Sequence, residues 1–103
     1  MSEAFLVHAL AALGQPIRLS LYRLLVEAGE EGRGPGALAT AVGIPRNLVS
    51  YHLQPLLGAS LLMNERSGRD VIYRVEPSGI ERLVAALLAL AVPGSYSKSD
   101  ASL

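Results

Sequence analysis

Between Ala37 and Leu57 a helical rhythm of apolar residues is cut once, at Gly43-Ile44-Pro45, and this break constrains the fold more than any other feature of the chain. Upstream, Leu38, Ala39 and Val42 fit a short helix that stops at Gly43. Downstream, Pro45 opens a new helix, where its missing N–H leaves nothing unpaired, and Leu48, Val49, Leu53 and Leu56 share one face. Two short helices separated by three or four residues including a glycine form a helix-turn-helix. Pro55 falls inside the second helix, where it removes a backbone hydrogen bond and presses on the carbonyl of Tyr51. The helix is therefore expected to be kinked or nearly finished there, with its N-terminal half intact.

The flanking segments complete a mainly α chain with a small β-hairpin. Residues 3–13 are apolar with short side chains and read as a first helix, interrupted by Gly14-Gln15. Pro16 starts a second, in which Ile17, Leu21, Leu24, Leu25 and Ala28 recur at spacings of three and four, with Gly29 as its cap. EEGRGPG (30–36) reads as a flexible, glycine-rich connection. In residues 61–75 the period changes to two: Val71, Tyr73 and Val75 alternate with Asp70, Ile72 and Arg74. Gly68 can supply the positive φ of a hairpin turn at Arg66-Ser67-Gly68-Arg69. Tyr73, on the Val71/Val75 face, is expected to pack within the hairpin. Ser78 and Glu81 have capping-box spacing before a last helix that runs to about Val92 and stops at Pro93-Gly94. The order is helix, helix, helix-turn-helix, hairpin, helix (α-α-α-α-β-β-α), a winged helix-turn-helix. One domain is expected over residues 1–92, with a flexible serine-rich tail over 93–103.

At 103 residues the chain has room for one domain only. Its longest apolar run, Leu83–Val92, is about half of what a bilayer crossing needs. No basic flank precedes the apolar N-terminal stretch, so that stretch does not read as a signal peptide. Without cysteine there is neither a disulfide framework nor a thiolate metal site. A cytoplasmic protein that does not engage membranes is expected. No nucleophile–base pair, phosphate-cradling glycine loop or apolar carboxylate pair is recognisable, so an enzyme is not expected. Net charge is zero, yet it is unevenly spread. Arg46, Arg66, Arg69 and Arg74 outnumber Glu65 and Asp70 in the middle of the chain, whereas acidic residues prevail over the first 33 positions.

The last helix adds a requirement of its own. LVAALLALAV is apolar on every face, and such a helix must be covered all round. The first helix likewise projects Phe5, Leu6, Val7, Leu10 and Leu13 in several directions. A domain of this size cannot wrap both. A homodimer is expected, with Phe5, Leu6, Leu10, Leu83, Leu87 and Leu90 at the interface. A two-fold axis also suits a helix-turn-helix, because paired recognition helices read half-sites about one helical turn apart.

Three segments carry a resemblance. ALGQPIRLSLYRLL (12–25) resembles the second-helix signature of ArsR/SmtB repressors, LVSYHLQPLLGASLL (48–62) their recognition helix, and GRDVIYRV (68–75) their wing. The resemblance covers about residues 5–90. It implies a repressor that binds an inverted-repeat operator in double-stranded DNA as a dimer and, in most members, is released by a metal, metalloid or other inducer. One departure is Ser60, which stands where relatives have a helix-ending glycine.

On a helix-turn-helix the start of the second helix and one exposed stripe reach the bases. Here these are Arg46, Asn47, Ser50, Tyr51 and Gln54, with His52 on the flank and Arg66 and Arg69 at the wing tip. Arg46 can pair with guanine, and Asn47 or Gln54 with adenine. The Ser50 and Tyr51 hydroxyls suit phosphates, and His52 suits either a contact or a half-buried orienting role. Arg18 and Arg74 are open between phosphate contacts and ion pairs.

The resemblance also says where inducers bind: cysteines on the third helix, near the N-terminus or after the last helix, or Asp, His and Glu on the last helix. No cysteine exists here, and the last helix offers only Glu76 and Glu81. His8 and His52 have no acidic neighbour at ligand spacing, and His8 is expected to be packed. Neither a metal site nor a cofactor is expected. Ser95, Ser97, Ser99 and Ser102 lie near the thiol positions of arsenic-responsive relatives, although a polar tail is the simpler account. Four alternatives stay open: a metalloid-responsive repressor whose thiols are absent or replaced, a constitutive repressor, a repressor induced by a small apolar molecule held between the terminal helices, and a winged-helix protein–protein interaction module.

Overall fold

A computed structural model describes residues 3–91. Five helices and one hairpin follow in the expected order: α1 (Glu3–Leu13), α2 (Pro16–Ala28), a 3-10 turn (Gly29–Glu31), α3 (Pro35–Val42), α4 (Arg46–Gly58), β1 (Leu62–Ser67), β2 (Asp70–Val75) and α5 (Pro77–Ala91). The anticipated tail at 93–103 lies outside the described residues.

Local chemistry accounts for most boundaries. The Gln15 side chain accepts the Arg18 amide at 2.8 Å ahead of Pro16, which opens α2. Gly29 caps α2 at φ +63°. Gly43 ends α3 in the left-handed region (φ +74°), its N–H donating to the Ala39 carbonyl, and α4 starts three residues later, at Arg46 behind Pro45. These two helices are the helix-turn-helix. β1 and β2 pair antiparallel from Leu62↔Val75 to Ser67↔Asp70, turning through Gly68 at φ +67°. The core gathers Leu21 and Leu25 of α2, Leu38 of α3, Val49, Leu53 and Leu56 of α4, then Leu61, Tyr73 and Leu83. Tyr73 packs as its alternation with Asp70 and Arg74 predicts. Leu48 does not share the buried face of α4 and is exposed.

Three expectations are corrected, that for Leu48 being the first. Pro55 lies in the last turn of α4, which ends at Gly58, so the helix is nearly finished there as expected. The next residues close the helix: Ser60 N–H donates to Leu57 O and Leu61 N–H to Leu56 O, with Ser60 at φ +60°. This is a Schellman closure with serine in glycine's place.

The second correction concerns α5, which begins at Pro77 rather than behind Ser78. Glu76 precedes it, and its carboxylate accepts the Ser78 hydroxyl at 2.8 Å and, more loosely, the Ser78 amide at 3.4 Å. The acidic cap is the residue before the proline, and the Ser78/Glu81 box does not form. Gly79 in this first turn packs so closely on the Ser60 carbonyl that no side chain fits there.

Thirdly, residues 30–36 are not a loose tether. Arg33 exchanges both backbone hydrogen bonds with Tyr73 (3.0 and 2.9 Å), which gives the wing a one-residue third strand. Gly32, at φ +68°, passes under β2, where a Cβ would come within 2.5 Å of the Tyr73 oxygen. The Arg74 guanidinium bonds the Glu30 carbonyl at 3.1 Å and pairs with Glu65, fastening the same segment from the other side.

Candidate nucleic-acid interface

α4 divides cleanly into two faces. Val49, Leu53 and Leu56 point into the core, while Arg46, Asn47, Tyr51 and Gln54 are exposed and Ser50 is partly so. Positions 46/47, 50/51 and 54 lie one turn apart, so the fold brings these five side chains onto one solvent-facing stripe. Tyr51 is the most open, at 68% exposed. His52 sits at the stripe's edge and is half-buried. Its ring meets that of Tyr51 edge-on (centroids 5.3 Å apart, 73° between planes), and its Nδ1 is buried without a hydrogen-bond partner. Both features fit a residue that orients the helix and its neighbouring tyrosine.

The arginines separate into two groups that sequence alone does not distinguish. Arg18 makes no ion pair among the described residues: its Nε and Nη2 donate to the carbonyls of Ala12 (2.7 Å) and Ala11 (3.2 Å), closing the C-terminus of α1. Arg33 is bound to Glu31 and to the Gly32 carbonyl, and Arg74 to Glu65 and the Glu30 carbonyl. Among the described residues, Arg46, Arg66 and Arg69 make no hydrogen bond or ion pair. Arg23, on the exposed side of α2 beside α3, is likewise uncommitted. Arg66 and Arg69 stand exposed at the hairpin tip, apart from the α4 stripe. Of their acidic neighbours, Glu65 is paired with Arg74, whereas Asp70, beside Arg69, is exposed and makes no ion pair among the described residues.

Gly36 is a contributor that the sequence reading missed. A Cβ there would lie 3.5 Å from Nη1 of Arg46, so the guanidinium rests against the first turn of α3. The Pro-Gly pair that signalled flexibility is the surface on which this side chain lies.

The terminal helices show the surface that their composition demands. Val7 and Leu10 on α1, and Val84, Leu87, Leu88 and Leu90 on α5, are exposed, Leu90 at 69%. Phe5 and Leu6 are half-buried, and the Arg82 guanidinium lies 4.0 Å above the Phe5 ring. Leu83 is 3% exposed and already covered by its own chain. No single described helix is long and apolar enough to cross a membrane.

Residues 13–65 match the family model described as a helix-turn-helix domain. The HTH-type transcriptional repressor SmtB of Mycobacterium tuberculosis is 34% identical over 80 residues, 78% of this chain and 57% of that protein. This chain therefore spans a little over half the length of SmtB. The HTH-type transcriptional regulator CmtR of Mycobacterium bovis is 34% identical over 88 residues, covering 85% of this chain and 72% of CmtR. The chain belongs to the ArsR/SmtB family. In structure, this ArsR/SmtB member is similar to the homodimeric winged helix-turn-helix DNA-binding domain of Mb0332 from Mycobacterium bovis, with a TM-score of 0.69 and 27% identity over 88% of this chain and 87% of that one.

Membership raises the question of a metal. The donors present do not fit one: the sequence has no cysteine, His8 is exposed on α1 rather than packed as expected, and Glu76 is spent on Ser78. Among the described residues no three His, Asp or Glu side chains converge.

Proposed function

We propose that this ArsR/SmtB protein is a cytoplasmic transcriptional repressor that binds an inverted-repeat operator as a homodimer, acting by binding and not by catalysis. The observation that carries the reading is the α4 stripe from Arg46 to Gln54, exposed on the second helix of a helix-turn-helix and headed by an arginine with no hydrogen-bond or ion-pair partner among the described residues. Arg46, Asn47 and Gln54 have the donors and acceptors that read base edges in the major groove. Ser50, Tyr51, Arg66 and Arg69 suit the backbone, which fixes register without reading sequence. His52 orients the stripe. The homodimer rests on the uncovered apolar faces of α1 and α5, with Phe5, Leu6, Leu10, Leu87 and Leu90 at or beside the contact. A thiol-bound metalloid inducer has no ligands in this sequence.

The test compares Arg46→Ala and Arg69→Ala by fluorescence anisotropy on the protein's own promoter DNA and on random DNA. Arg46→Ala is expected to cost about 1–3 kcal/mol on the operator and little on random sequence. Arg69→Ala should weaken both alike and lower the salt slope by about one unit. Equal losses on both DNAs for Arg46→Ala would remove its base-reading role. Salt-independent or undetectable DNA binding by the parent chain would favour a protein-binding module instead.

A further inference from the structure

A cavity of about 490 Å³ lies between α1 and the end of α4, not between the two terminal helices. Its walls are apolar, formed largely by Ala11 and Ala12 on one side and Pro55 and Gly58 on the other, and its volume is in the range of small-molecule sites. Only two lining residues are basic, His8 and Arg18, and none is acidic.

Arg18 gives the cavity its chemical character. Two bonds to the α1 carbonyls hold its guanidinium in place, so a ligand need not immobilise it. Its Nη1 donates to nothing, and no carboxylate among the described residues balances its charge. His8, on α1 ahead of Ala11 and Ala12, also has no hydrogen-bond partner among the described residues. A fixed cation with no carboxylate partner among the described residues, beside an apolar chamber, matches one ligand shape: an anionic head on an apolar body. Guanidinium geometry suits a carboxylate, and the alanine and proline walls suit an alkyl or aryl chain.

We infer that the α1–α4 cavity binds a small amphipathic carboxylate, its head at Arg18 and His8 and its body against Pro55 and Gly58. This goes beyond the DNA-binding reading and does not depend on it. Because Pro55 and Gly58 belong to the same helix as the DNA-facing stripe, such a ligand would contact the recognition helix directly.

Octanoate and octan-1-ol serve as matched probes, titrated into the ¹⁵N-labelled full chain without DNA. Octanoate should cause saturable amide shifts centred on Ala11, Ala12, Gly58 and Ala59. Octan-1-ol should bind at least about tenfold more weakly, since a hydrogen bond to a charged group is lost. Gly58→Leu, at a position where a new side chain meets open space, should fill the chamber and abolish the shifts without unfolding the protein. His8→Gln should weaken octanoate and leave octan-1-ol unchanged. Octan-1-ol binding as tightly as octanoate would overturn the inference, as would non-saturating shifts scattered over the surface or undiminished binding to Gly58→Leu. If Gly58→Leu instead shifts the monomer–dimer equilibrium in sedimentation, the cavity is occupied by a second copy and the inference fails.

Discussion

Ser60 holds φ +60° at the end of α4, a conformation that costs a residue with a Cβ roughly 1 kcal/mol or more. Two features keep it there: the paired closing bonds to Leu57 and Leu56, and the contact of its carbonyl with Gly79 on α5. Ser60→Gly should therefore stabilise the protein by about 0.5–1 kcal/mol, read as a higher urea midpoint with an unchanged m-value. Gly79→Ala should do the opposite. Its Cβ would fall on the Ser60 oxygen and lie 3.0 Å from the Leu61 Cα, both backbone atoms, so the α4–α5 junction must open at a cost of about 2–3 kcal/mol or more. A Gly79→Ala protein as stable as the parent would disprove the close approach. The sequence showed that residue 60 was unusual but not that residue 79 had to be small, because the two meet only in three dimensions. The roles of Arg18 and Gly36 were hidden for the same reason. Arg18 turns back to carbonyls six and seven residues earlier, around the α1–α2 corner, and no local spacing records that.

At the scale of elements, order and type were legible because each segment kept one period throughout. The helical spacing from Ile17 to Ala28, the Gly43 stop and the alternation from Asp70 to Val75 each encode their geometry in contiguous residues. The third strand did not show, since a single bridging pair at Arg33 has no period to read. Pro55 was legible as a residue near the end of α4, and it stands in the last turn, three residues before Gly58. Val49, Leu53 and Leu56 are fully buried along α4, and their burial outweighs one missing hydrogen bond near the helix end. That missing bond should still be measurable. Pro55→Ala restores the N–H to the Tyr51 carbonyl at an exposed position and should stabilise the fold by about 1–2 kcal/mol. Melting curves at matched protein concentration provide the check; a lower midpoint would mean that the ring contributes packing of its own.

For the whole molecule, the two requirements read from the sequence converge on one arrangement. Each protomer offers three arginines on α4 and the wing that are unpaired among the described residues, and an apolar surface along α1 and α5 that would promote aggregation if left open. The proposed homodimer would cover that surface and would set two α4 helices about a two-fold axis. Leu87 and Leu90 are exposed on α5, whereas Leu83 is already inside the protomer, so charges at the first two positions should disrupt association without emptying the core. Leu87→Glu combined with Leu90→Arg is expected to sediment as a folded monomer with the parent's helical circular dichroism. Its operator affinity should fall by orders of magnitude, because one protomer engages only one half-site. The salt dependence separates lost dimerisation from a damaged reading surface. The two wing arginines of each protomer, Arg66 and Arg69, make four phosphate contacts on a dimer and predict a log–log slope of about −3.6, and two on a monomer about half that. A variant that remains dimeric in sedimentation would place the interface elsewhere. A monomer that keeps both the operator affinity and the full slope would mean that a single α4 and wing suffice, and that the apolar faces of α1 and α5 serve something other than DNA binding.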